Sequence, residues 1–275
     1  MKCAWECLLG VLPPWMRSEV DRLGREEMEE LRLRLNKPPE LIFHSGRKLL
    51  HGCTHQSDLN FCLNAASGYS PWASASVAQG YLTAHGGHRI GICGDGVIQN
   101  GSLQTIGRPE SLCIRVARDF PGIGAEAAEL QGNILLLGPP GCGKTTLLRD
   151  LARQISKKEA VCVVDERGEL FPSGIFEGES LDVLRNCPKT EGIMKALRTM
   201  GPATIAVDEI TASEDCEALI QAGWCGVRLL ATIHGGTLSD LRSRGLYRSL
   251  WESRLFQHCL VLDRNKHWHE ERMTP

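Results

Sequence analysis

The chain lacks a basic excess: its 275 residues carry a formal net charge of -2. That balance removes the bulk electrostatic argument for a nucleic-acid binder, whose domains carry clear positive charge, and leaves only a local basic face. No apolar run approaches the roughly 18 residues that a membrane-spanning helix needs. The opening stretch from Met1 to Trp15 is apolar in places, yet Glu6 and the Pro13-Pro14 pair interrupt it, so it makes a poor signal peptide. Cysteine is abundant at twelve, but no CxxC pair and no His/Cys cluster with zinc-ligand spacing occurs. Scattered cysteines of this kind suit a reducing cytosol and serve mostly as small buried apolar side chains. Internal repeats and low-complexity segments are absent too. The expectation is a soluble cytoplasmic protein that reaches a membrane only through partner proteins.

The length allows one large domain or two ordinary ones, and two is the better division, at 1–120 and 121–275. In the first half, Ser18 to Leu33 reads as a charged amphipathic helix with Val20, Leu23, Met28 and Leu31 as its apolar positions. Leu41 to Phe43 reads as a short strand, His44-Ser45-Gly46-Arg47 as its turn, and a second helix runs from Ser57 through Ala66. Short β-like runs at Tyr81-Leu82-Thr83, Arg89 to Ile92 and Cys113 to Val116 alternate with Gly86-Gly87, Gly94-Asp95-Gly96 and Asn100-Gly101. Such alternation predicts a compact α+β module rich in hairpin turns. Asp119 to Gly124 reads as the linker, with a helical pattern after it.

What the second half has is Gly138-Pro139-Pro140-Gly141-Cys142-Gly143-Lys144-Thr145, after the apolar run Ile134 to Leu137 and before the helix-like stretch from Thr146. Glycines let a backbone wrap closely around phosphates with its N–H groups pointing inward. Lys144 can reach β and γ phosphates, Thr145 can hold Mg²⁺, and the helix N-terminus adds partial positive charge. Further apolar runs at Val161 to Val164, Thr204 to Val207 and Val227 to Thr232, with Cys259 to Leu262 as a possible addition, alternate with helical segments. That rhythm predicts an α/β domain with a parallel sheet and a ligand at the C-terminal strand ends.

Three further motifs fall at those ends. Asp208-Glu209 follows Val207; an Asp there can hold Mg²⁺, and the neighbouring Glu can orient or deprotonate an attacking water. Asp165-Glu166-Arg167 follows Val164, taken as the strand end nearest the phosphates, which makes Glu166 a rival to the preferred Glu209. Thr232-Ile233-His234-Gly235 closes the next strand, where a polar Thr or His can sense the γ-phosphate. Arginine neutralises charge developing in phosphoryl transfer, and Arg89, Arg115 and Arg118 are the candidates.

Together these residues resemble the stage III sporulation protein AA family, whose ATPase domain is related to those of type II and type IV secretion. In the first half the resemblance rests on Glu30 to Arg34, Gly80 to Thr83, Gly86-Gly87-His88-Arg89-Ile90-Gly91 and Ile114 to Arg118. In the second it rests on the phosphate loop, Val164 to Arg167, Val207 to Ile210 and Ala231 to Gly235. The resemblance implies a RecA-like P-loop ATPase domain preceded by a smaller α+β domain. It implies ATP and Mg²⁺ as cofactors, with Gly138 to Thr146 cradling the nucleotide and Thr145 and Asp208 on the metal. Asp165-Glu166 is similar to the acidic box of secretion ATPases, Asp208-Glu209 to their second acidic motif and His234 to their histidine box. A hexameric ring docked on membrane proteins of a channel from mother cell to forespore is the assembly the resemblance implies. After Leu262 the chain departs from the pattern, with little apolar material for a further strand. Rival readings are a nucleic-acid-stimulated motor, a small-molecule kinase and a scaffold ring with little turnover.

Overall fold

In the computed structural model of the chain, residues 3–68, 80–99, 101–172 and 178–273 are described. They form two compact units, the first ending at Asp119 and the second beginning at Phe120 and taking in all later described residues except Pro172. Asn100, expected in a turn, lies outside the described residues.

The first unit is an antiparallel sheet of six strands: β1 (Glu30–Arg34), β2 (Glu40–Phe43), β3 (Gly46–Leu49), β4 (Tyr81–Thr83), β5 (Arg89–Gln99) and β6 (Ser102–Arg115), in the order β3-β2-β1-β6-β5-β4. Helices α1 (Trp5–Val11), α2 (Pro14–Gly24) and α3 (Gln56–Ala66) supply Leu8, Met16, Val20 and Leu59 to a core shared with Leu31, Leu33, Ile90 and Ile114. The helix expected over Ser18 to Leu33 is half wrong. It ends at Gly24, and Glu30–Arg34 is a strand because its residues alternate, with Leu31 and Leu33 fully buried and the charged neighbours turned outward. The turn expected at Gly94-Asp95-Gly96 is also corrected. Those residues stay in β5, where register shifts at Cys93/Gly94 and Asp95/Gly96 bend a continuous ribbon instead of ending it.

The second unit carries seven strands in the order β13-β12-β7-β11-β10-β8-β9: β7 (Ile134–Gly138), β8 (Val161–Asp165), β9 (Leu181–Arg185), β10 (Thr204–Val207), β11 (Arg228–His234), β12 (His258–Leu262) and β13 (Trp268–Arg272). Only β13 runs antiparallel. Every residue of β7, β8 and β10 is buried, as strands covered on both faces must be. Helices α4 (Lys144–Ile155), α5 (Lys189–Thr199), α6 (Ser213–Trp224), α7 (Leu238–Ser243) and α8 (Arg248–Glu252) join them.

Two expectations are corrected here, and one strand is added. A strand does follow Leu262, because β13 is an edge that needs only one hydrogen-bonded side and tolerates polar residues. The helical pattern after the linker shrinks to the single turn Ala127–Glu129. The partly exposed β9 carries no continuous apolar run and was invisible as a strand. All twelve cysteines are unbonded, and burial pushes the thiols of Cys62 and Cys259 up to about 12, so these two act as small hydrophobes. No helix among the described residues is long and apolar enough to cross a membrane.

Candidate functional site

Strand order assembles the site. His234 ends β11 directly beside Gly138 of β7, and Val207, just before Asp208, pairs with Ala231 of β11 on its other side. The phosphate loop, His234 and Asp208-Glu209 therefore emerge from three adjacent strands. Asp165 and Glu166 leave β8, one strand further on. At roughly 4.8 Å per spacing, Asp208-Glu209 stand about 10 Å and Glu166 about 14 Å from β7 along the sheet. Asp165-Glu166 leaves β8 at the same C-terminal edge of the parallel strands as the phosphate loop, with β10 and β11 standing between β8 and β7.

The loop from Gly138 to Gly143 leads straight into α4, and Gly143 caps that helix with φ +97, a left-handed conformation that costs glycine little and other residues much. Lys144 turns back into the loop. Its Nζ donates to the carbonyl oxygens of Gly138 at 2.8 Å and Pro139 at 2.9 Å and lies 3.0 Å from His234 Nδ1. Burial pulls its pKa below the usual lysine value, a shift opposed by the nearby Cys142, Asp208 and Glu209.

Asp208 gathers two hydroxyls. Thr145 Oγ1 donates to its Oδ2 at 2.8 Å and Thr232 Oγ1 to its Oδ1 at 2.6 Å, while Thr232 in turn accepts the backbone N–H of Glu209 at 2.7 Å. Glu209 has φ +50, an uncommon backbone for a residue with a side chain. Its carboxylate meets Arg167 Nη1 at 2.8 Å and His234 Nε2 at 3.2 Å. His234 therefore bridges Lys144 and Glu209: Nδ1 accepts from the ammonium, which leaves Nε2 to carry the proton toward the carboxylate. Gly141, Gly143, Lys144, Thr145, Thr146, Asp208, Glu209, Thr232 and His234 line one cleft of about 240 Å³. Among the described residues no cluster of three or more His, Cys, Asp or Glu forms a cage for a metal. A hydroxyl and a carboxylate on one edge of a phosphate cleft nonetheless fit Mg²⁺, which takes few protein oxygens and completes its shell with phosphates and water.

The other predicted residues are employed elsewhere. Glu166 is ion-paired to the buried Lys189, which also lies 3.8 Å from Asp215. Buried Asp165 accepts the backbone N–H groups of Glu169, Leu170 and Phe171 at 2.8 to 3.0 Å, so it shapes the loop after β8. In the first unit, Arg89 stacks on the Tyr81 ring at 4.5 Å, Arg115 pairs with Glu30 at 3.4 Å and Arg118 donates to the Met28 carbonyl at 3.1 Å. The fully buried His88 is structural: its Nε2 meets the Ala4 carbonyl at 3.0 Å, and Nδ1 accepts the Ala117 N–H at 3.1 Å. Sequence reasoning missed the roles of Arg167 and Lys189 as partners of the two glutamates, since ion pairing between loops leaves no local pattern.

Beside the phosphate cleft lies an apolar recess of about 340 Å³, walled by Phe120, Ile123, Leu262, Lys266 and Trp268 and floored by the phosphate loop.

The family model for sporulation stage III, protein AA matches residues 15–272. Stage III sporulation protein AA of Bacillus subtilis (strain 168) is 38% identical over 277 residues, spanning 93% of this chain and 90% of that protein. Among solved structures, the ATPase DotB of Legionella pneumophila is similar at 17% identity and a TM-score of 0.60, over 95% of this chain and 80% of that one. The pilus retraction motor PilT, crystallised with ADP, is similar at 15% identity and a TM-score of 0.63, over 95% and 78%. At these identities the structural likeness is one of fold.

Proposed function

Because the chain belongs to the stage III sporulation protein AA family and shares the P-loop fold of secretion ATPases, we propose that it hydrolyses ATP to ADP and phosphate. The observation that carries this reading is the convergence of Lys144, Thr145, Asp208, Glu209 and His234 on one cleft. Incoming β and γ phosphates compete with the Gly138 and Pro139 carbonyls for the Lys144 ammonium, exchanging neutral acceptors for charged ones, which make stronger hydrogen bonds. Thr145 and Asp208 would hold Mg²⁺, which supplies charge neutralisation between the phosphates. Glu209 takes a proton from water as the water oxygen bonds to the γ-phosphorus and the bond to the bridging oxygen breaks. His234 Nε2–H holds that carboxylate in orientation, and through Nδ1 it links the water-activating group to the phosphate-sensing lysine.

One of Arg89, Arg115 and Arg118 completes the neutralisation, from the same chain or from a neighbour in a ring. The family membership supports a place for this ring at a membrane channel between mother cell and forespore. Lys144→Ala tests the core of the proposal. The variant is expected to stay folded by circular dichroism and to lose most ATP affinity or turnover. Wild-type hydrolysis by folded Lys144→Ala protein would sink the reading.

A further inference from the structure

The 3₁₀ turn Gly245–Tyr247 joins α7 to α8, and two side chains there, Arg244 and Tyr247, end on the backbone of the candidate site. The buried Tyr247 hydroxyl donates to the Ile210 carbonyl at 3.2 Å, one residue past Glu209. Arg244 donates from Nη1 to the carbonyl of His234 at 2.9 Å. The turn is itself anchored. Tyr247 belongs to the same apolar core as Ile210, Cys216 and Leu250, and the Cys216 thiol of α6 donates to the Leu246 carbonyl at 3.6 Å. Burial pushes the Tyr247 hydroxyl above the usual tyrosine value, a shift that the neighbouring Arg244 charge opposes, so at neutral pH it keeps the proton it donates to Ile210.

The backbone held there needs holding. Glu209, at φ +50, has a conformation that persists only where its surroundings over-determine it. Thr232 Oγ1 accepts the Glu209 N–H at 2.7 Å, the Thr232 carbonyl accepts the Ile210 N–H at 2.9 Å, and Tyr247 takes the Ile210 carbonyl, so Ile210 is fixed at both of its polar backbone groups. On the other side His234 ends β11, and just past it the Gly235 N–H donates to the Gly138 carbonyl at 3.3 Å. One turn therefore grips both of the loops whose side chains, Glu209 and His234, meet at 3.2 Å. Neither Arg244 nor Tyr247 lines the phosphate cleft.

We propose that Arg244 and Tyr247 are positioning residues that set the contact between Glu209 and His234, and with it the rate of attack by water, while nucleotide affinity is left to the cleft. This rests on the reading of Glu209 as the base. A carboxylate displaced by an ångström no longer meets its water in line, whereas phosphates held by the loop and Lys144 do not notice the change. The two side chains thus act on turnover through the backbone of the residues they grip.

The experiment measures kcat from phosphate release, and ADP affinity by calorimetry, on the full chain as wild type, Arg244→Ala, Arg244→Lys and Tyr247→Phe. Arg244→Ala is repeated in a His234→Ala chain. Arg244 is exposed, so replacing it spares the core. Arg244→Ala is expected to lose about tenfold in kcat, the scale of a misplaced catalytic group, with ADP affinity kept within about twofold. Arg244→Lys, which still offers the His234 carbonyl a charged donor, should return to within about threefold of wild type. Tyr247→Phe keeps the ring in the core, loses only the hydroxyl and should show the same split between kcat and affinity. In the His234→Ala chain, Arg244→Ala should add less than about twofold, because the contact it sets is already gone, whereas general damage to the fold would carry over. Wild-type kcat in both Arg244→Ala and Tyr247→Phe, an equal fall in ADP affinity, or an undiminished further loss in the His234→Ala chain would overturn the proposal. A wild-type chain that binds ADP yet hydrolyses no ATP would overturn the reading of Glu209 as the base, and the proposal with it.

Discussion

Replacing each of the two glutamates by glutamine separates the roles that strand order assigns them. A general base must reach the attacking water directly or through one intervening water. Glu209 leaves β10, two strand spacings or about 10 Å from the strand that carries the phosphate loop, and it lines the cleft. Glu166 leaves β8, three spacings or about 14 Å away, and its carboxylate is already paired with Lys189. Glu209→Gln keeps an oxygen for the His234 Nε2–H and gives up the ion pair with Arg167, whose side chain is 56% exposed, so its cost in stability should stay below about 1 kcal/mol. Losing the base should slow turnover ~100-fold or more, about 2.7 kcal/mol on the barrier. Glu166→Gln should do the reverse. It leaves the buried Lys189 with Asp215 at 3.8 Å as its remaining acidic partner among the described residues, costing about 1–2 kcal/mol of stability once the partial exposure of Glu166 is discounted. Its turnover should remain within about threefold of wild type, since no group in the cleft has changed. Phosphate release at saturating ATP, ATP affinity and urea unfolding, measured on both variants, give the comparison. A 100-fold loss in Glu166→Gln with near wild-type rates in Glu209→Gln would refute the argument from strand order.

Thr232→Val keeps the shape of the side chain but leaves Asp208 Oδ1 and the Glu209 N–H without their shared hydroxyl. It should cost about 1–3 kcal/mol in urea unfolding, along with a fall in turnover, and an unchanged rate would show that this hydroxyl does not set the acidic pair. If arginines of the first unit serve a neighbouring subunit, turnover per chain should rise with protein concentration, and Lys144→Ala mixed with an Arg118→Ala chain should recover activity that neither has alone. Full, concentration-independent hydrolysis by a particle of monomer mass would exclude that assembly. Burial holds the His88 pKa below its ordinary value, with the Arg118 charge adding to the shift and the Ala4 carbonyl opposing it. His88 is thus neutral in the folded protein, and the stability linked to it is present above the unfolded value near 6.5 and lost as pH falls toward the lower folded one. The urea midpoint should therefore drop between about pH 7 and 5, less steeply in His88→Gln, and identical slopes would remove His88 as the cause.

The phosphate loop, the parallel α/β rhythm and the acidic and histidine motifs were all legible in the sequence, because each is a local signal. Continuous apolar runs mark strands buried on both faces, and a glycine-rich turn between such a run and a helix has few other uses. The alternation in Glu30–Arg34 was misread, because a helical period can be laid across the same apolar positions. Pairing across distance was not legible. In the chain, Glu166 follows the phosphate loop sooner than Glu209 does, but in the sheet β11 and β10 lie between β7 and β8, which turns sequence proximity into spatial distance. The hydroxyl of Thr232 between Asp208 and the Glu209 backbone, the imidazole of His234 between Lys144 and Glu209, and the grip of Tyr247 on the Ile210 carbonyl each join residues from separate elements. A local pattern records what a residue's neighbours in the chain demand. Which strands become neighbours is decided by how the covered sheet is assembled as a whole, and that order chose the residues facing the cleft.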